Sequence, residues 1–185
     1  MHKSSLEKME KFILDYLKDQ DELKVIDVGS RDTNGSYRPF FSKRGWEYKG
    51  LDIVGGKNVD IVSDDPYNWS DLEDDSVDVV ISGSTFEHIE FPWKTMEEIK
   101  RILKPGGMCF ILTTSFGEYH PVPVDCYRFF ADGLRALAKH SDLEVVHCLT
   151  DNVGIQWRDS VLMARKEAVK PRTIRKPKPP KEDQE

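Results

Sequence analysis

Short apolar and β-branched runs that alternate with helical periodicity constrain this chain more than any other feature. "KVIDV" at 24–28, "EYKGLDI" at 47–53, "VDIV" at 59–62, "VDVVIS" at 77–82 and "MCFILTT" at 108–114 read as strands. Parallel neighbours need a crossover of a dozen or so residues, so strands separated by helical stretches predict a mostly parallel α/β sheet. The last two runs, "LEVVHCL" and "DSVLMARK", differ. Only about ten residues without helical pattern join Leu149 to Val161, which predicts an antiparallel hairpin closing the sheet.

The intervening helices have identifiable starts and stops. Leu6, Met9, Ile13, Tyr16 and Leu17 recur at helical spacing, predicting an amphipathic helix over about 4–18 with Ser4 or Ser5 as its cap. "GSYRPFFSKR" forms a short helix if Pro39 falls in its first turn. "PWKTMEEIKRILK" begins at Pro92, carries Met96, Ile99, Ile102 and Leu103 on one side and ends at "PGG"; "ADGLRALAKH" runs from Ala131 to His140.

With 185 residues, 38% of them hydrophobic, the chain suits a single domain with its own core. We place that domain at 1–165, with the N-terminal helix inside 1–20, and read the Lys- and Pro-rich segment 166–185 as a disordered or extended tail. A net charge of −6 argues against nucleic acid, because phosphate-backbone affinity comes from clustered Lys and Arg. Charges interrupt the apolar residues of "MHKSSLEKMEKF", so no signal peptide or membrane span is expected there, and the expectation is a soluble, cytoplasmic protein. Cys109, Cys126 and Cys148 form no CxxC pair and read as reduced packing residues, and no His cluster has metal-ligand spacing, so no metal is expected.

In doubly wound sheets, ligands occupy the crevice at the carboxyl ends of the strands. After the first strand come Asp27, Gly29, Ser30 and Arg31; after the second comes Asp52. Gly29 permits a tight turn and close backbone approach. Asp52 follows near the offset at which a carboxylate accepts hydrogen bonds from ribose hydroxyls. Yet "GSRDTNG" offers Gly29 and then no glycine until Gly35, which denies a pyrophosphate its usual G-x-G-x-x-G seat, and no P-loop lysine is present. An adenosine cofactor without phosphates asks less of this loop.

"VIDVGS", "YKGLDI", "VDVVISGSTFEHI" and "EIKRILKPGGMCFILTT", in this order and spacing, resemble the class I S-adenosylmethionine-dependent methyltransferases. The similarity is nearest to small type-11-like domains, including ones associated with cell-surface glycan and phage gene sets. It covers about residues 23–165, and "PVDCYRFFADGLRAL" resembles a substrate-side element of that subgroup. The resemblance implies a Rossmann-like seven-stranded, mostly parallel sheet with an antiparallel C-terminal hairpin and helices on both faces. It implies S-adenosyl-L-methionine as cofactor, with Asp27 and Gly29 opening the loop near the methionine amino group. It further implies Asp52 on the ribose, Ile53 on adenine, Asp64 (or else Asp65) on the adenine amino group, and Ser82, Gly83 and Ser84 beside the sulfonium. Arg31 departs from the family's glycine pattern; its guanidinium either meets the cofactor carboxylate or turns to solvent or a neighbouring Asp.

Methyl transfer needs positioning before anything else, and a base only where the acceptor must lose a proton. His88, after the fourth strand, is one candidate base, the alternative being a helix-start residue bonded to backbone. His120 lies in "FGEYHPVPVDCYRFF" with Tyr127, Asp125 and Arg128, a segment that either faces a polar acceptor or packs its own loop. The expected activity is O- or N-methylation of a small or glycan-like acceptor. The competing expectation is a catalytically inactive module that keeps the fold and works through a partner. A second copy of so short a chain could complete the acceptor wall as a homodimer.

Overall fold

A computed structural model describes residues 3–151 and 157–168. Helix α1 (Lys3–Phe12) runs on through a π-helical turn at Ile13–Leu17, and β1 (Lys24–Val28) follows. Then come α2 (Arg38–Ser42), β2 (Glu47–Asp52), β3 (Ile61–Val62), β4 (Val77–Gly83), α3 (Pro92–Ile102) and β5 (Leu103–Phe116). Helix α4 (Ala131–His140) and strands β6 (Glu144–Thr150) and β7 (Arg158–Arg165) complete the chain's regular elements among the described residues.

The seven strands lie in the order β3-β2-β1-β4-β5-β7-β6. Pairings from β3 through β5 are parallel, and β7 runs antiparallel to both β5 and β6. This is the Rossmann-like sheet with a closing hairpin that the sequence pattern predicts. The chain moves outward from β1 to β3 and then returns to place β4 on the other side of β1. That reversal opens a crevice beyond the carboxyl ends of β1 and β4.

Strand alternation divides the interior into two cores, because successive side chains point to opposite faces. Val25, Val79, Ile81, Phe110 and Leu112 join Met9, Phe12, Ile13 and Leu17 of the N-terminal helix, with Phe41, on one face. Ile26, Val28, Val80 and Ile111 join Met96, Ile99 and Ile102 of α3 and Leu134 and Ala138 of α4 on the other. Helices therefore cover both faces. Pro39 and Pro92 both stand in the first turn of their helices, where a missing N–H costs nothing.

Several boundaries move. Helix α2 is only five residues long, and β3 keeps two residues of the predicted four. Helix α3 stops at Ile102, and β5 starts at Leu103 instead of 108, so "KPGG" belongs to the strand side of the junction. The register shift between Val77 and Val79 absorbs it. Lys166, assigned above to the tail, is tied to the body: its N–H donates to the Gly107 carbonyl and its carbonyl accepts from Gly106 N–H. Residues 169–185 of the expected tail, and part of the predicted β6–β7 loop, lie outside the described residues. No described helix is long and apolar enough to cross a membrane.

Candidate functional site

The crevice holds a cleft of about 800 Å³ that starts at the β1 and β2 ends, with Gly29, Asp52 and Ile53, and extends to His88, His120 and Trp157. Beside it, a smaller chamber of about 80 Å³ is lined by Asp27, Ser30, Tyr37 and Gly83. Gly29, Arg31, Thr33, Asn34 and Ser84 line both, so the two spaces adjoin along the β1 loop.

The chamber is built around a buried carboxyl. Asp27 alternates into the α1 side of β1, where Tyr48 of β2 donates its hydroxyl to Oδ2. Burial pushes the Asp27 carboxyl up from 3.8 to about 7, against the Tyr48 hydrogen bond and the Arg38 charge, which pull it down. Arg38 is itself held by Asp60 and by the Asn58 side chain, and lies 4.5 Å over the Tyr48 ring.

Tyr37, at the entrance to α2, is 1% exposed, and its hydroxyl has no hydrogen-bond partner among the described residues. A buried O–H left unpaired costs roughly 1–3 kcal/mol, so a partner from a ligand would relieve it. Gly83 makes the room: a methyl there would sit 2.6 Å from the Tyr37 oxygen and 2.5 Å from its ring. Gly29 has φ +73° and lies directly under the Thr85 side chain, so neither its conformation nor its surroundings admit a Cβ.

Asp52 caps the loop that it faces. Its Oδ2 accepts from the Arg31 N–H at 3.0 Å and its Oδ1 from the Val54 N–H at 3.2 Å, which aims the carboxylate across the cleft. Ile53 and Val54 stand exposed beside it. The Arg31 side chain lies along Gly56, on the shared wall of both spaces, while Asp32 pairs with Lys57. Among the described residues, Arg31 forms no ion pair with a neighbouring Asp, which leaves the cofactor carboxylate and solvent as its alternatives.

At the far end, a 3-10 turn, Phe86–His88, follows β4. Glu87 is fully buried there, accepting from Thr113 Oγ1 at 2.6 Å and Thr114 Oγ1 at 2.9 Å. His88 turns Nδ1 to the Val124 carbonyl at 2.6 Å, and His120 turns Nδ1 to the Glu118 carbonyl at 2.8 Å. The two rings meet edge to face at 4.9 Å, and Trp157 packs on His120 at the same distance. Arg128 grips Asp125 through both carboxylate oxygens and holds that carboxyl well below the usual range.

Of the residues singled out from sequence, Asp27, Gly29, Ser30, Arg31, Asp52, Ile53, Gly83 and Ser84 thus converge on the two spaces, as do His88 and His120. Three do not. Ser82 is buried inside the sheet with its hydroxyl on the Val28 carbonyl. Asp64 is exposed and outside both linings, although Ser63 and Pro66 line the cleft. Tyr127 packs against the α3 core with its hydroxyl on the Glu90 carbonyl. His88 ends the 3-10 turn four residues ahead of α3 and does not start that helix, but its ring does bond to a backbone carbonyl, as the alternative reading of it expects. Sequence reasoning passed over Tyr37, Thr85 and Glu87. Only "STFEH" directly after a strand gave a signal for the last two, and nothing local marked Tyr37.

The family model described as a methyltransferase domain matches residues 26–111, from β1 into β5. An uncharacterised methyltransferase of Mycobacterium sp. strain KMS is 31% identical over 102 residues, covering 49% of this chain and 38% of that protein. The chain thus spans well under half the length of this curated relative. Among solved structures, a methyltransferase of Methanosarcina mazei superposes with a TM-score of 0.64 at 15% identity, covering 85% of this chain and 97% of that one. The [4+2]-cyclase SpnF superposes at 0.67 with 14% identity, covering 87% and 80%, so the shared fold also carries a protein named for other chemistry. The sheet order, the strand-end loop and the family match agree: residues 26–111 are similar to a methyltransferase domain, and the chain has the Rossmann-like fold of the solved methyltransferases it superposes on.

Proposed function

We propose that the chain transfers a methyl group from S-adenosyl-L-methionine to oxygen or nitrogen of a small or glycan-like acceptor. The observation that carries this reading is the unpartnered Tyr37 hydroxyl beside Asp27, in a chamber sized for an amino-acid end and adjoining a larger cleft with Asp52 on its wall. The donor set fits the cofactor. Asp27 suits an ammonium; the Tyr37 O–H and the Arg31 guanidinium suit a carboxylate. Asp52 suits a pair of vicinal hydroxyls, and Ile53 and Val54 offer an apolar face to a purine.

The cofactor, when bound, supplies an electrophilic methyl on a sulfonium. The chain's own contribution is position: Gly29 and Gly83 allow close approach on the strand-end side, and Val122, Val124 and Trp157 shield the acceptor end from water. His88 and His120 present their imidazoles there. A glycan-like acceptor suits the row of aromatic rings that leads from Tyr67 on the cleft wall to Phe91 and Trp93 outside it, with Tyr67–Phe91 and Phe91–Trp93 centroids 5.5 and 5.6 Å apart and Phe91 and Trp93 about two-fifths exposed.

Calorimetric titration with S-adenosylmethionine, S-adenosylhomocysteine and NAD tests the reading. Binding of the first two is expected, and binding of NAD alone overturns it. Asp52→Ala should weaken S-adenosylmethionine at least about tenfold, since hydrogen bonds to a charged group contribute roughly 1.5–3 kcal/mol. Unchanged affinity would put the ribose elsewhere. The second reading, a binding module without catalysis, is favoured by Arg31 standing where the family usually has glycine. Turnover against pooled sugars and small amines separates the two.

A further inference from the structure

We infer that Glu87, His88 and His120 form a binding site for one divalent transition-metal ion at the acceptor end of the cleft, and that the ion's open position takes an acceptor hydroxyl. The second part rests on the methyltransferase reading; the first does not.

One ligand atom from each of the three residues lies within 4.8 Å of the other two. A tetrahedral ion with bonds of about 2.1 Å holds its ligands about 3.4 Å apart, so closing the site asks each side chain to move by about 1 Å. Glu87 supplies the electrostatic reason. It is fully buried, its oxygens accept from two threonine hydroxyls, and no Lys or Arg forms an ion pair with it among the described residues. Arg128 acts on it only through space, and a buried carboxylate without a contacting counter-charge is costly, with two neutral hydroxyls offsetting only part of that cost. A cation on the cleft side would complete it.

The two imidazoles are already oriented as metal ligands are. Ligating histidines almost always donate the second ring N–H to a carbonyl or carboxylate, which fixes the tautomer. His88 Nδ1 has the Val124 carbonyl; His120 Nδ1 has the Glu118 carbonyl at 2.8 Å, with the Asp125 carboxylate at 3.4 Å. The tautomer that donates Nδ1–H to these carbonyls leaves Nε2 unprotonated for a ligand, and we take it as part of the inference. Three protein ligands on one wall leave a coordination position open to the cleft, the arrangement of catalytic and not of structural sites. Two imidazoles and one carboxylate select zinc, cobalt, nickel or iron(II) over magnesium or calcium. A hydroxyl on such an ion loses its proton to solvent water near neutral pH, as bound water does.

The test uses the full chain after chelator treatment and dialysis. Cobalt(II) is titrated by its visible d–d absorbance and zinc by calorimetry, with elemental analysis for stoichiometry. One ion per chain is expected. His88→Asn and His120→Asn should each weaken binding at least the 10–100-fold that loss of an outer partner alone costs, and the double variant should abolish it. Both residues are only half-buried, so these variants are expected to fold, which melting by circular dichroism checks. His140→Asn, at a surface ion pair with Glu97, should leave binding unchanged. No binding by the wild type, or undiminished binding by the double variant, overturns the site. Calorimetry with S-adenosylmethionine on the metal-free chain is read separately. Cofactor binding by a chain that takes up no added metal overturns this inference alone, whereas metal binding without cofactor binding overturns the methyltransferase reading and leaves the metal site.

Discussion

Asp27 is the residue whose chemistry departs furthest from its type. Folding raises its carboxyl from 3.8 to about 7, chiefly by burial, so the folded chain keeps this proton across an interval in which the unfolded chain has lost it. Stability should therefore fall as pH rises from about 4 to about 7. Urea denaturation at pH 5 and pH 8 measures the fall, and Asp27→Asn should remove most of the slope. Affinity for a ligand bearing an ammonium should move the opposite way, rising as Asp27 ionises near pH 7. Gly83→Ala forces a methyl against Tyr37 and should cost about 1–3 kcal/mol in the same denaturation experiment. Binding of S-adenosylmethionine should fall with it. Asp27, Gly29 and Asp52 were legible in the sequence because their position relative to a strand end is a local property. Tyr37 and Glu87 were not, because each depends on what a different strand places over it: Gly83 for the tyrosine, Thr113 and Thr114 for the glutamate.

At the level of elements, α3 positions the cleft from behind. Arg101 near its end donates to the carbonyls of Trp69 and Leu72 and pairs with Glu98 and Asp74, while Glu98 accepts from the Trp69 N–H. One guanidinium thus fixes the irregular segment between β3 and β4 that puts Trp69 on the cleft wall. Arg101→Met keeps the apolar stem and removes the fork. Hydrogen exchange at the Trp69 and Leu72 amides should then quicken by about tenfold or more, with the β1 and β4 amides unchanged. The strands and long helices followed from periodicity, since apolar spacing is written in consecutive residues. The α3–β5 junction did not. Pro105 and Gly106, with φ +87° at the glycine, look like a break, yet Gly106 and Gly107 exchange backbone hydrogen bonds with Lys166, some sixty residues later in the chain.

Across the whole molecule, the sheet separates two cores that answer to different parts of the sequence. The α3 and α4 side is closed by helices between strands, as the alternation implies, whereas the α1 side is closed by the N-terminal helix and by Tyr37, Phe41 and Trp46. The chamber and Asp27 belong to this second side. Lys8 of α1 reaches Asp159 on the cleft wall at 2.8 Å and Asp151 at 2.7 Å, so α1 is joined both to a core and to the site.

The binding of Lys166 at the start of β5 fixes where the last described residues leave the sheet. Its ammonium reaches Asp75 at 2.6 Å and the Lys100 carbonyl at 2.8 Å, at the amino end of β4 and β5. The cleft opens at the carboxyl end of the same strands. An anchor, a label or a partner domain joined through residues 166–168 would hold the domain by its base with the mouth facing outward, toward acceptors too large or too immobile to enter from the side.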